Sequence, residues 1–94
     1  NDLKAQTYLN LVRRRAFGDL LHDITATGTA LYDAILAERR LELAMEGERF
    51  FDLVRTGKAA SVLGTLGFVA GKHELFPIPQ GEVDLAGLTQ NPGY

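Results

Sequence analysis

Ninety-four residues hold at most one small domain, and a core of that size is only marginally self-sufficient. An apolar fraction of 46% argues against disorder, and a net charge of −2 excludes the basic excess that a nucleic-acid or acidic-lipid surface demands. The absence of cysteine removes disulfides, thiolate nucleophiles and zinc knuckles, and no run approaches the ~18 apolar residues of a membrane span.

The chain opens Asn1-Asp2, and its only methionine is Met45, so it reads as a piece of something longer. A first helix is predicted from Leu3 to Ala16 with Asp2 as N-cap. Ala5, Tyr8, Leu9, Val12 and Ala16 recur at helical spacing as its buried stripe, while Lys4, Gln6, Asn10, Arg13 and Arg14 lie mostly away from it. The basic run Arg13-Arg14-Arg15 falls at the helix end, where it complements the dipole. Phe17-Gly18 ends the helix. The connection to Thr29 is rich in turn formers, with Leu20, Leu21 and Ile24 as apolar anchors.

A second helix is predicted from Ala30 to Glu46, with Thr29 as N-cap. Leu31, Ala34, Ile35, Leu41 and Met45 share a broad side into which Glu38, Glu42 and Arg49 also project, while Leu36 and Leu43 face elsewhere. A helix apolar on more than one side is buried by several neighbours, and charges within its band must be paired or solvated. Gly47 interrupts it. A shorter helix follows from Glu48 to Arg55, burying Phe50, Leu53 and Val54, with Gly57 as its stop. Ala59 to Leu66 keeps the helical period. Beyond Gly67 the run Leu75-Phe76-Pro77-Ile78-Pro79 is extended, because proline excludes helix around it. Gln80 to Leu88 holds one short helical turn, and Asn91-Pro92-Gly93 is a turn. The reading is mainly α: three to four helices and a proline-held extended tail, with residues 1–94 as a single segment.

Little of this carries catalytic chemistry. Glu38, Glu42, Glu46 and Glu48 crowd one stretch, but a glycosidase needs carboxylates facing one bond across a cleft. Arginines are interleaved instead, so Arg39–Glu42, Glu46–Arg49 and Asp52–Arg55 read as ion pairs at i,i+3, with Glu42 joined to Arg39 or Arg49 in a partly buried pair. His73-Glu74 resembles the start of a zinc-protease helix, yet Pro77 stands where the second histidine is needed. His22 and His73 are otherwise isolated, and no metal site is assigned. Ser61 lacks the glycines of a nucleophile elbow, and Gly64-Thr65-Leu66-Gly67 lacks the pattern of a phosphate loop. Tyr8, Tyr32, Phe50 and Phe51, at helical spacing among leucines, read as core rather than as sugar platforms.

The stretch Ile35 to Lys58 is more specific. Glu38-Arg39-Arg40-Leu41-Glu42-Leu43, then Glu46-Gly47-Glu48-Arg49, then Asp52-Leu53-Val54-Arg55 and Gly57 closely resemble the signature of the SusD/RagB family. Tyr8-Leu9-Asn10-Leu11-Val12-Arg13 looks like that family's upstream helix. Leu75-Phe76-Pro77-Ile78-Pro79-Gln80 and Leu88-Thr89-Gln90-Asn91-Pro92-Gly93-Tyr94 look like its C-terminus. The resemblance implies the C-terminal segment of a larger, tetratricopeptide-like helical lipoprotein at the outer-membrane surface, which binds glycans or other nutrients without chemistry or cofactor and passes them to a SusC-type TonB-dependent transporter. Glu38, Arg39, Arg40, Glu42, Glu46, Gly47, Arg49, Asp52 and Arg55 are its structural signature here, and no ligand-binding residue is carried over. Two other readings compete: a stand-alone helical interaction module, and a carbohydrate-active enzyme built on the glutamate cluster.

Overall fold

A computed structural model describes residues 1–94, which form two compact units, residues 1–49 and 50–94. The mainly α expectation holds, with five α-helices and no strand. No helix is long and apolar enough to cross a membrane.

In the first unit, α1 spans Asp2–Phe17. Asn1, not Asp2, is its cap, accepting from the Lys4 N–H at 3.3 Å. Gly18, in the left-handed region at φ 77°, closes the helix by donating to the Arg14 carbonyl. α2 spans Gly28–Glu42 and starts earlier than its composition suggests. The Asp2 carboxylate, in the first turn of α1, accepts from the Gly28 N–H at 2.7 Å and satisfies a donor at the start of α2 that has no partner within that helix. A tertiary contact therefore sets the start of α2.

α2 also ends before Gly47. The Leu43 N–H closes on the Arg39 carbonyl, and the chain leaves the helix through Met45 at φ 69° and Gly47 at φ 81°. Neither conformation belongs to a right-handed helix. Met45 consequently stands fully in solvent, and Leu41 is 72% exposed, so the predicted apolar band narrows to buried Leu31 with half-buried Ala34 and Ile35. Leu36, on the other side, is buried as well.

The connection between α1 and α2 is held by polar atoms, because Leu20 and Leu21 are exposed and only Ile24 of the three expected anchors is half-buried. Asn10, itself buried, donates from Nδ2 to the Ile24 carbonyl at 3.0 Å and accepts from the Ile24 N–H at 2.8 Å. Gln6 donates from Nε2 to the carbonyls of Thr25 and Ala26. Arg13 donates from Nε to the His22 carbonyl at 2.6 Å. From Asn10 back to Asp2 the helix covers about 12 Å, and extended chain from Ile24 to Gly28 covers about 13 Å. The connection therefore runs back along α1, and α2 sets off in the same direction as α1. Gln6, Asn10 and Arg13 thus face the connection, contrary to their predicted outward place, because an extended backbone needs partners for its N–H and C=O groups.

In the second unit, α3 (Glu48–Arg55, its first two residues belonging to the first unit) buries Leu53, with Phe50 and Val54 half-buried. The Lys58 N–H returns to the Leu53 carbonyl at 2.8 Å, and Gly57 turns the chain at φ 69°. α4 (Ala59–Leu63) tightens into a 3-10 turn at Gly64–Leu66, which stops at Gly67. Of the predicted extended run Leu75 to Pro79, residues 76–79 lie outside any helix or turn, while Leu75 forms a bend, its N–H donating to the Lys72 carbonyl. α5 (Gln80–Ala86) is longer than the single turn predicted, which brings the helices to five. The Pro79 carbonyl accepts from the N–H groups of Glu82 and Val83 to start it. The C-terminal residues fasten the extended segment: Gln90 bonds both the N–H and the carbonyl of Ile78 at 2.8 Å, Asn91 donates to the Phe76 carbonyl, and the Tyr94 hydroxyl donates to that of Leu75.

Candidate functional site

Successive helical residues point about 100° apart, so three consecutive arginines must reach in three directions. Each finds a different acid: Arg13 pairs with Glu38, Arg14 with Asp23 and Arg15 with Glu42. The basic run therefore ties α1 to α2 and to the connection as well as lying at the helix end. Arg13 and Glu38 are the most enclosed, with side chains 19% and 10% exposed. Arg13 also lies over the Phe17 ring, 5.2 Å from its centroid, and the His22 ring stacks on Phe17 at 3.9 Å.

The signature residues do different work. Glu38 is buried, Arg39 half-buried and Arg40 exposed. Glu42 pairs with Arg15, not with Arg39 or Arg49, because the two parallel helices bring that arginine opposite it. Glu46 and Gly47 occupy the turn after α2, where the chain is no longer helical, so Glu46 and Arg49 do not meet as an i,i+3 pair. In the second unit the buried Asp52 accepts from Arg55 Nε and a terminal guanidinium nitrogen at 3.1 and 2.9 Å, and the Thr56 hydroxyl donates to the Asp52 carbonyl.

Electrostatics on the connection follow the same contacts. The Arg14 guanidinium, hydrogen-bonded to Asp23, holds that carboxyl below its ordinary value, and Asp23 raises Arg14 in turn. Hydrogen bonding to His22, 2.8 Å away, lowers Asp19. His73 accepts the Val69 N–H on Nδ1, and no three potential ligands converge on a metal position.

Each unit has a concave surface. In the first, a groove of about 370 Å³ has Ala5, Tyr8, Leu9 and Val12 of α1 on one wall and Ile35, Glu38, Arg39, Glu42 and Leu43 on the other. In the second, a bowl of about 390 Å³ gathers Phe50, Phe68, Phe76, His73 and Tyr94 with Leu63, Leu66 and Leu75. Its rings meet at 5.8 to 6.4 Å (Phe50 with Phe68 and Phe76, His73 with Phe68 and Tyr94), which is ordinary aromatic packing. A sugar site pairs an aromatic face with convergent polar groups. Here Glu38, Glu42, the Tyr94 hydroxyl and His73 Nδ1 already have partners, and no buried side-chain polar atom lacks one.

The expected aromatic core is corrected at three positions. Tyr8, Tyr32 and Phe51 are 60%, 44% and 55% exposed, and only Phe50 turns inward. Helical period marks the apolar face of a helix, but it does not say whether the layer covering that face lies within these residues. Asp2, Gln6, Asn10 and Arg13, which hold the connection, had a legible signal in their own spacing of four, four and three along α1.

A family model described as the SusD family matches residues 1–67. SusD-like protein P38 of Formosa agariphila is 48% identical over 65 residues, covering 68% of this chain and 13% of that protein. SusD-like protein P2 of the same organism is 30% identical over 105 aligned positions, covering 97% and 21%. The solved structure of a laminarin binding SusD-like protein matches at 42% identity with a TM-score of 0.58, over 96% of this chain and 22% of its own. The chain thus spans between 13% and 22% of the length of these relatives.

Proposed function

The chain belongs to the SusD family, and from that premise we propose that it serves in a non-catalytic glycan-binding lipoprotein at the outer-membrane surface, which hands its ligand to a SusC-type TonB-dependent transporter. The observation that carries the reading is the 42% identity, across nearly the whole chain, to a protein described as laminarin binding. Within that protein these residues act as scaffold. The charges of the signature go into ion pairs, and Glu38 and Glu42 sit one turn apart on one helix, each held by an arginine of α1, which is not the arrangement of a working acid and base. The glycan site lies mostly on residues outside 1–94.

Titration calorimetry of the full-length protein against a glycan panel that includes laminarin tests this. Saturable binding of at least one glycan is expected, with no release of reducing ends. Tyr8→Ala and Phe76→Ala should leave the affinity within about twofold, because neither ring sits among convergent polar groups. Hydrolysis of a glycan, or loss of binding in a folded Phe76→Ala protein, refutes the assignment.

A further inference from the structure

We propose that His73 is an acid-labile latch: its neutral imidazole closes the turn Val69–His73, and protonating that ring opens the turn. Little else holds this stretch. Val69, Ala70 and Gly71 are exposed, and Gly71 crosses the middle in the left-handed region at φ 81°. The closure comes from both ends of His73 acting on both backbone groups of Val69. The His73 N–H donates to the Val69 carbonyl at 3.0 Å, where the Lys72 N–H also arrives at 3.2 Å. In return the Val69 N–H donates to His73 Nδ1 at 2.9 Å.

A backbone N–H can only donate, so Nδ1 must offer its lone pair, and the proton of the neutral ring sits on Nε2. A second proton on Nδ1 sets donor against donor, and that bond is lost. The folded turn accepts only the neutral ring, so its closure is complete above the range in which imidazoles charge and is lost as pH falls through it. The surroundings do not offset the change. Lys72 is a cation, its ammonium 4.7 Å over the Tyr94 ring, and the Tyr94 hydroxyl is committed to the Leu75 carbonyl. The bowl around the ring has no carboxylate in its lining, and Glu74, next in the chain, is exposed outside it. His22 is wired in the opposite sense: its Nδ1 faces the Asp19 carboxylate at 2.8 Å, a contact that protonation keeps.

The turn also seats the C-terminal residues. The His73 ring meets those of Phe68 and Tyr94 at 5.8 and 6.4 Å. The Lys72 stem lies against Gly93, where a Cβ would fall 3.0 Å from Lys72 Cδ. Opening the turn therefore loosens one rim of the aromatic bowl. This device acts in the second unit and is independent of the glycan reading.

Hydrogen-exchange mass spectrometry of the full-length protein at pH 8 and pH 5, corrected for intrinsic exchange, tests it on peptides spanning residues 68–75. That window lies above the ordinary carboxylate range and within that of imidazole. Protection should fall at least about fivefold from pH 8 to pH 5, the worth of one net hydrogen bond, while peptides spanning residues 18–24 should hold theirs within about twofold. His73→Phe keeps a ring and removes the acceptor, so its turn should be as weakly protected at pH 8 as the wild-type turn is at pH 5. His73→Asn puts a non-titrating oxygen in place of Nδ1, so its protection should not change between the two pH values. Wild-type protection that stays within about twofold across the window would overturn the proposal. So would an acid response that survives in either variant, because another group would then be carrying it.

Discussion

Replacing Arg13 with alanine strands the Glu38 carboxylate. That side chain is 10% exposed, and its arginine partner is 19% exposed. Removing one member of a buried pair costs about 3–5 kcal/mol, because the remaining charge keeps its desolvation without its counter-charge. Residual exposure on both sides puts this pair at the lower end, about 3 kcal/mol. The lost bond from Arg13 Nε to the His22 carbonyl adds about 1 kcal/mol. Glu38→Gln keeps an acceptor and removes the charge, so it should cost only about 1–2 kcal/mol. The double replacement Arg13→Met with Glu38→Leu removes both charges and fills the space with apolar atoms, and it should recover about 2 kcal/mol relative to the sum of the corresponding single replacements. Urea titration of the full-length protein, followed by far-ultraviolet circular dichroism, measures these differences. Hydrogen-exchange mass spectrometry on peptides from α1 and α2 assigns them to this helix pair. An Arg13→Ala protein within about 0.5 kcal/mol of wild type would refute the reasoning, since that is the range of an ordinary surface change.

Asn10→Ala should cost about 2 kcal/mol, since both backbone groups of Ile24 lose their partner, and exchange of the Ile24 amide should accelerate. The Asp23 carboxyl is held low by Arg14, so its contribution is present above the ordinary carboxylate pKa and lost as pH falls through the folded value. Protection of residues 23–27 from exchange should accordingly weaken below about pH 4, and Asp23→Asn should flatten that acid limb. Met45→Gly should be neutral to stabilising by up to about 1 kcal/mol, because a fully exposed side chain at φ 69° carries left-handed strain without packing in return; thermal melting measures it. Gln90→Ala should release the extended segment at Ile78 and speed proteolytic cleavage between Leu75 and Pro79, read by mass spectrometry.

Local patterns were legible wherever one residue's chemistry settles its backbone. Proline imposed the extended Phe76–Pro79 run, Gly18 closed α1, and the spacing of Leu31 and Leu53 marked helix faces that are buried. Family membership was legible too, because Glu38-Arg39-Arg40 through Arg55 forms a long ordered pattern. Partner choice was not. Glu42 has Arg39 near it in sequence and Arg15 near it in space, and the parallel course of α1 and α2 decided for Arg15. That course depends on Gln6, Asn10 and Arg13 capturing the returning backbone, a set of contacts between residues 9 to 20 positions apart. The same holds for Tyr8, Leu41 and Phe51, whose exposure depends on where other chain lies. Periodicity ranks the faces of a helix by polarity, but burial is set by what packs against each face, and that is a property of the assembled fold.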